Sequence, residues 1–153
     1  MMPSNRATRL SLVFVSASAL TVLFAQDACS QQTEPAALEG AWKQAESKNG
    51  DAQDYQKPAE GLEMIKFVAG GRFIWTVAQG GKIVAGAGGK YKIDKDKYFE
   101  TIEYTIGDGQ DTLAGKTFEF TWKLDGKTWL HVGTIKLNDQ DYKIDEKWER
   151  CGK

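Results

Sequence analysis

Residues 117–137 read TFEFTWKLDGKTWLHVGTIKL, and this segment gives the clearest indication of the fold. Each half alternates apolar and polar side chains, which is the pattern of a β-strand with one buried face. Asp125-Gly126 separates the halves, and an Asp-Gly pair favours the tight turn of a β-hairpin. The segment therefore predicts two antiparallel strands, Thr117–Leu124 and Thr128–Leu137.

The same alternation continues on both sides of this hairpin, interrupted by short turns rich in Gly, Asn and Asp. Nine strands are predicted: Gly40–Glu46, Leu62–Val68, Arg72–Ala78, Lys82–Ala87, Gly89–Ile93, Tyr98–Ile106, Thr117–Leu124, Thr128–Leu137 and Tyr142–Arg150. Short connections favour antiparallel neighbours in sequential order, and closure removes the exposed strand edges. We predict an all-β, up-and-down antiparallel β-barrel of about eight to nine strands over residues 38–151.

Residues 1–30 have the pattern of a secretory signal peptide. Arg6 and Arg9 precede the apolar run Leu10–Phe24, LSLVFVSASALTVLF. This run is shorter than the roughly 20 apolar residues that cross a membrane as a helix, and it matches the apolar region of a signal. The sequence therefore predicts a secreted or periplasmic protein without a membrane span.

The position of signal cleavage determines the fate of Cys29. Small residues favour cleavage after Ser30, which removes Cys29 and leaves a polar leader at residues 31–37. Cleavage after Ala25 is the alternative, and it would allow Cys29 to pair with Cys151 in an oxidising compartment. A cysteine after an apolar run is also a site of lipid attachment in bacteria, so an anchor at Cys29 is the second hypothesis for localisation.

Composition and charge exclude several function classes. The chain has 153 residues, with 20 Lys and Arg against 21 Asp and Glu, so a net charge of −1 gives no basic surface for nucleic acid. A single His and two Cys predict no metal site, and no motif predicts a cofactor. The absence of Gly-x-Ser-x-Gly disfavours a serine triad. Gly86-Ala87-Gly88-Gly89 lacks the Lys and the following helix of a phosphate loop, and it predicts a strand bend or bulge.

Alternation also assigns side chains to the barrel interior. Glu100, His131 and Glu146 fall on strand faces that otherwise carry aromatic and aliphatic residues. Polar groups among aromatic walls are typical of a ligand pocket, although structural ion pairs are the alternative. We expect these three side chains to anchor a ligand. The aromatic walls around them are predicted to be Phe67, Phe73, Trp75, Tyr91, Tyr104, Phe118, Phe120 and Trp129.

Gly40-Ala41-Trp42 opens the first strand and resembles the Gly-x-Trp motif of lipocalins. The wider chain resembles the small bacterial lipocalin-like domains of unknown function. The stretches that carry this resemblance are Ile65–Phe67, Gly71–Thr76, Gly88–Tyr91, Glu100–Tyr104, Trp129–Gly133 and Glu146–Arg150. The resemblance implies a calycin barrel that holds a small apolar or amphipathic molecule. It also implies that Trp42 closes one end beneath Arg150, and we expect residues 45–61 to border the other end.

These observations favour binding over catalysis. The first expectation is an exported lipocalin-like barrel that holds a small, partly apolar ligand. The second is an enzyme that uses Glu100 or Glu146 with His131 as acid and base. The third is a filled barrel that serves as a structural or interaction domain of the cell envelope, which predicts no cavity large enough for a ligand.

Overall fold

The structure is a computed structural model that describes residues 37–137 and 139–152. The predicted signal peptide, most of the polar leader and Cys29 lie outside the described residues, so export and the fate of Cys29 stay predictions. Cys151 lies within them and is exposed. In the described part of the chain, no helix has the length and hydrophobicity that crossing a membrane requires.

Eight antiparallel strands form a closed up-and-down barrel. They are β1 (Gly40–Ser47), β2 (Leu62–Ala69), β3 (Arg72–Gln79), β4 (Lys82–Asp94), β5 (Lys97–Ile106), β6 (Thr117–Asp125), β7 (Thr128–Leu137) and β8 (Gln140–Arg150). Each strand pairs with the next, and β8 pairs with β1 to close the barrel. The predicted all-β, up-and-down architecture is confirmed, with β6 and β7 forming the hairpin at Asp125-Gly126.

The prediction of separate strands before and after Gly88 is wrong, because β4 runs through the glycine-rich stretch without a break. The predicted bulge is present there, since the register between β4 and β5 shifts between Gly88 and Gly89. A Cβ atom on Gly89 would collide with the carbonyl oxygen of Thr101. Glycine at this position therefore lets the two strands approach closely while the ladder continues.

The bulge also corrects the predicted interior position of Tyr104. Gly88 pairs with Tyr104 and Gly89 with Ile102, so Glu103 is an extra residue on β5. Side chains beyond an extra residue exchange faces. Tyr104 consequently points outward with 44% of its surface exposed, and its hydroxyl lies over Gly88.

The barrel has two different ends. The closed end carries the β2–β3, β4–β5 and β6–β7 turns, and the open end carries the other connections. Aromatic side chains fill the closed end, where Trp129 lies 5.5 Å from Trp42 and 5.2 Å from Tyr98, centroid to centroid. Buried residues of this core are Leu38, Trp42, Val68, Phe73, Tyr91, Tyr98, Trp129 and Trp148.

Arg150 lies over the ring of Trp42 at the closed end, with its Cζ atom 4.2 Å from the ring centroid. Its guanidinium donates hydrogen bonds to the carbonyl oxygens of Ala37 and Glu39. Gly40 has φ +136°, and a Cβ atom there would lie 2.6 Å from Nη1 of Arg150. The glycine of the Gly-x-Trp motif thus makes room for the arginine that covers the tryptophan.

Candidate functional site

A cavity of about 280 Å³ occupies the open end of the barrel. Its apolar lining consists of Met64, Trp75, Ile102, Leu113, Phe118, Phe120, Ile135, Leu137, Ile144 and Trp148. An apolar cavity of roughly 150 Å³ admits benzene, and pockets for small molecules begin near 300 Å³. The volume therefore suits a molecule of modest size.

The connection between β5 and β6 covers part of the cavity. It contains a short 3₁₀ helix, Asp111–Leu113, whose Leu113 side chain is buried against the cavity. Two backbone hydrogen bonds attach the end of this connection to β5: Gly115 donates to the oxygen of Ile102, and Ile102 donates to that of Lys116, each at 2.9 Å. The connection is therefore part of the cavity wall.

The segment at residues 45–61 borders the same end. Asn49 lines the cavity, and its Oδ1 atom accepts a 2.9 Å hydrogen bond from the backbone N–H of Asp145 on β8. The Tyr55 hydroxyl donates to Oδ1 of Asp145 at 2.7 Å, and this bond, together with desolvation, raises the pKa of Tyr55 to about 12. These contacts hold the segment along the outer side of β8.

Lys66, Glu100, His131 and Glu146 form the floor of the cavity, and each of them is buried. We call this group the polar floor. Nζ of Lys66 lies 2.8 Å from Oε1 of Glu100 and 5.0 Å from the ring centroids of both Trp129 and Trp148. The ammonium is thus neutralised by a carboxylate and enclosed by aromatic faces, which offsets the cost of its burial.

Glu146 has a different environment. Its Oε2 atom accepts a 3.0 Å hydrogen bond from Nε1 of Trp148 and lies 3.5 Å from Nδ1 of His131. Its Oε1 atom lies 3.5 Å from Nδ2 of Asn49. Across the described residues, no lysine or arginine nitrogen approaches the Glu146 carboxylate within 4.0 Å. Glu146 is therefore a buried carboxylate without a permanent countercharge.

His131 is held in its neutral form. Burial lowers its pKa most, and the positive charge of Lys66 lowers it further. Nδ1 lies 3.3 Å from Nζ of Lys66, and because an ammonium only donates, Nδ1 accepts this hydrogen bond. The ring proton is then on Nε2, which is buried and has no hydrogen-bond partner in the part of the chain that the structure describes.

The sequence-predicted site residues separate into three groups. Glu100, His131 and Glu146 come together in the polar floor, and the cavity walls include Trp75, Phe118 and Phe120. A second group is buried in the closed end and does not line the cavity: Phe73, Tyr91 and Trp129. The third group points outward: Phe67, which is 50% exposed, and Tyr104.

The interior position predicted for Phe67 is wrong, and the same strand contains the residue that the prediction missed. On β2, Met64, Lys66 and Val68 share the inward face, so Phe67 must face outward. An aromatic side chain is normally preferred inside over a lysine. Here Lys66 lies inside and Phe67 lies outside, because Glu100 on β5 supplies the opposite charge for Lys66. Alternation on this strand does not distinguish the two faces, and it does not reveal the carboxylate that stabilises a buried Lys66.

The polar floor is not arranged as a metal site. Lys66 lies between Glu100 and His131, where a cation would have to coordinate. Over residues 37–137 and 139–152, no group of three or more His, Cys, Asp or Glu side chains could hold a metal ion. The floor is suited instead to hydrogen bonding and to charge recognition.

The fold and the cavity together define a class: a closed, eight-stranded up-and-down barrel with an internal cavity above a buried charged floor. The chain belongs to the family described as a domain of unknown function, DUF4488, whose model matches residues 37–153. A similar solved structure is that of an uncharacterized protein from Bacteroides eggerthii DSM 20697. It has 16% sequence identity and a TM-score of 0.44, over 71% of this chain and 98% of that chain. No curated protein matches the sequence.

Proposed function

We propose that the protein is an exported lipocalin-like barrel that binds one small, partly apolar molecule in the cavity at its open end. The observation that carries this proposal is the cavity of about 280 Å³, which has apolar walls and a polar floor. Protein interiors leave few voids larger than a water molecule, and the closed end of this barrel follows that rule. The space at the open end is therefore suited to a guest molecule.

Two features support the lipocalin-like part of the proposal. The strands follow an up-and-down order around a closed barrel, and Gly40-Ala41-Trp42 opens the first of them at the closed end. Arg150, from the last strand, covers Trp42, which is the arrangement that the resemblance implies. The proposal of export rests on the arginines and the apolar run within residues 1–30, with a lipid anchor at Cys29 as the alternative.

Native mass spectrometry of the protein purified from its own cells tests binding and export together. We expect an excess mass that disappears on denaturation, and an N-terminus at Gln31, at Gln26 or at a lipidated Cys29. Ile135→Trp should remove the excess mass because the indole fills the cavity. Ile83→Trp is the matched control, since Ile83 is 57% exposed on the outside of the barrel.

Two results would contradict the proposal. A bare polypeptide mass for the wild type, together with an Ile135→Trp variant that is destabilised by overpacking, would favour a filled structural domain. A mature chain that retains residues 1–30 would contradict export.

Acid–base catalysis is a second candidate, because Nδ1 of His131 lies 3.5 Å from Oε2 of Glu146 beside the cavity. A catalytic role predicts that Glu100→Gln or Glu146→Gln abolishes turnover of the cavity ligand while its affinity changes only a few-fold. The measurement is an NMR time course of the ligand that mass spectrometry identifies. A ligand that remains chemically unchanged with the wild type excludes this candidate.

A further inference from the structure

We propose that the ligand is an amphipathic monocation, with an ammonium-type group bound against Glu146 and an apolar body in the cavity. This inference rests on the proposed function, because it names the chemical class of the molecule that the cavity holds. Its basis is the charge balance of the polar floor and the side chains that surround it.

The polar floor carries one more negative charge than positive charge. Lys66 and Glu100 neutralise each other at 2.8 Å, and the neutral His131 adds no charge. Glu146 remains, with its nearest donors being the uncharged indole of Trp148 and the amide of Asn49. A buried charge is costly unless it is paired. A cationic group on the ligand would supply the missing countercharge.

The walls next to the floor favour the same group. Trp75, Phe118, Phe120 and Trp148 line the cavity, and aromatic faces attract ammonium groups. The protein already uses this interaction, since the Lys66 ammonium lies 5.0 Å from two indole centroids. A carboxylate combined with aromatic faces is a suitable environment for an organic cation.

An anionic ligand fits less well. The cation that would receive it, Lys66, is already bound to Glu100 and enclosed by Trp129 and Trp148. A ligand carboxylate in the cavity would also lie near the charges of Glu100 and Glu146, and like charges repel in a medium of low dielectric. A neutral alcohol avoids this repulsion but leaves Glu146 without a countercharge.

Three probes of matched shape test the proposal: 3-phenylpropylamine, 3-phenylpropan-1-ol and 3-phenylpropanoate. Each has one aromatic ring and a three-carbon chain, so their apolar contacts are comparable. Isothermal titration calorimetry of the full mature protein at pH 7.5 measures each affinity. We expect the amine to bind at least about tenfold more tightly than the alcohol, and the carboxylate to bind most weakly, because a hydrogen bond between two charged groups is stronger than one that involves a neutral group.

Glu146→Gln isolates the proposed contact. The amide keeps the size of the side chain but removes its charge, so the amine should lose about tenfold in affinity while the alcohol changes by less than about threefold. Glu149→Gln is the control, because it removes a carboxylate from the exposed face of the same strand. Its affinities for all three probes should equal those of the wild type.

The pH dependence of the wild type provides a test that needs no variant. Titratable groups that face His131 are Lys66 on β2, Tyr98 and Glu100 on β5, and Glu146 on β8. Protonation of His131 would give Glu146 a cation and compete with the amine. Affinity for the amine, relative to the affinity for the alcohol, should therefore decrease once the pH falls below the folded-state pKa of His131, which NMR titration of the ring protons locates.

The outcomes separate the two proposals. If the alcohol or the carboxylate binds as tightly as the amine, the cavity is a binding site but its ligand is not a cation. If the ratio of amine to alcohol affinity does not change when His131 becomes protonated, the assigned contact with Glu146 is overturned. If none of the three probes binds, both the ligand class and the proposed binding function are contradicted.

Discussion

The two ends of the barrel consist of the same eight strands but have opposite interiors. At the closed end, Trp42 and Trp129 reach across the axis and are fully buried. At the open end, Ile135, Leu137 and Ile144 occupy the corresponding inward positions of β7 and β8, and they line the cavity. The indoles of Trp42 and Trp129 meet across the barrel axis, whereas the side chains at the open end, aromatic and aliphatic alike, line a cavity. The same alternating pattern therefore builds a packed end and an end with a cavity.

The polar floor lies at the boundary between these regions. Lys66 contacts the closed end through the rings of Trp129 and Trp148, and it also lines the cavity. We expect the closed end to provide most of the stability of the fold and the open end to provide its binding function. Four predictions test this division, in order of decreasing effect.

Trp129→Ala should cause the largest loss, about 4–5 kcal/mol of unfolding free energy, because the indole is fully buried against Trp42, Tyr98 and Trp148. Leu137→Ala at the open end should cost only about 1–2 kcal/mol, since this side chain is half-buried beside the cavity. Urea unfolding measures both values. Equal losses for the two variants would contradict the division between the ends.

Lys66→Met should cost about 3 kcal/mol, because it leaves Glu100 buried without its partner. Adding Glu100→Leu should restore most of the loss, since an apolar pair of similar size needs no countercharge. Urea unfolding of Lys66→Met, Glu100→Leu and the double variant completes a double-mutant cycle. If the losses simply add, Lys66 and Glu100 do not act as a pair.

Arg150→Met should cost about 2 kcal/mol, because it removes the cation–π contact with Trp42 and the hydrogen bonds to two carbonyl oxygens. Arg72→Met is the control: its ion pair with Glu103 is largely exposed, and such pairs contribute less than about 1 kcal/mol. Thermal unfolding compares the two variants. A loss for Arg72→Met as large as that for Arg150→Met would argue against a specific role in closing the barrel.

Acidification below pH 6.5, the unfolded-state pKa of His131, should destabilise the protein by less than about 1.4 kcal/mol per pH unit. The folded-state pKa of His131 is lower than its unfolded-state pKa. Between these two pKa values the unfolded state binds more protons than the folded state, so the unfolding free energy decreases as the pH decreases. The stability is complete above 6.5 and is lost as the pH falls towards the folded-state pKa. In His131→Gln this dependence between pH 6.5 and 5 should disappear, as urea unfolding at several pH values would show. An unchanged slope would assign the effect to other groups.

Most of the fold was predictable because it depends on neighbouring residues. Alternation within β6 and β7 and the Asp125-Gly126 turn indicated the hairpin, and the short connections elsewhere indicated sequential pairing. The sequence predicts a bend or bulge at Gly86–Gly89 and separate strands on either side of Gly88, yet β4 continues because its glycines allow close approach to β5. The bulge at that point turns the Tyr104 side chain from the inner to the outer face of the barrel, which simple alternation does not predict.

The candidate site was predictable only in part. Glu100, His131 and Glu146 were identified because they interrupt apolar faces, but Lys66 was not, and Phe67 was placed inside instead. A lysine is stable in the interior only beside a suitable carboxylate. That carboxylate, Glu100, is on β5, whereas Lys66 is on β2, so their proximity is a property of the closed barrel.

The sequence by itself determined the strands, their order and the inward position of most side chains, because alternation and turn chemistry act between residues that are close in the chain. Only the tertiary structure decided which end of the barrel is filled, how Lys66 is neutralised and why Glu146 has no permanent countercharge. Cavity volume and ion pairing depend on distances across the barrel axis, and those distances are set when β8 pairs with β1.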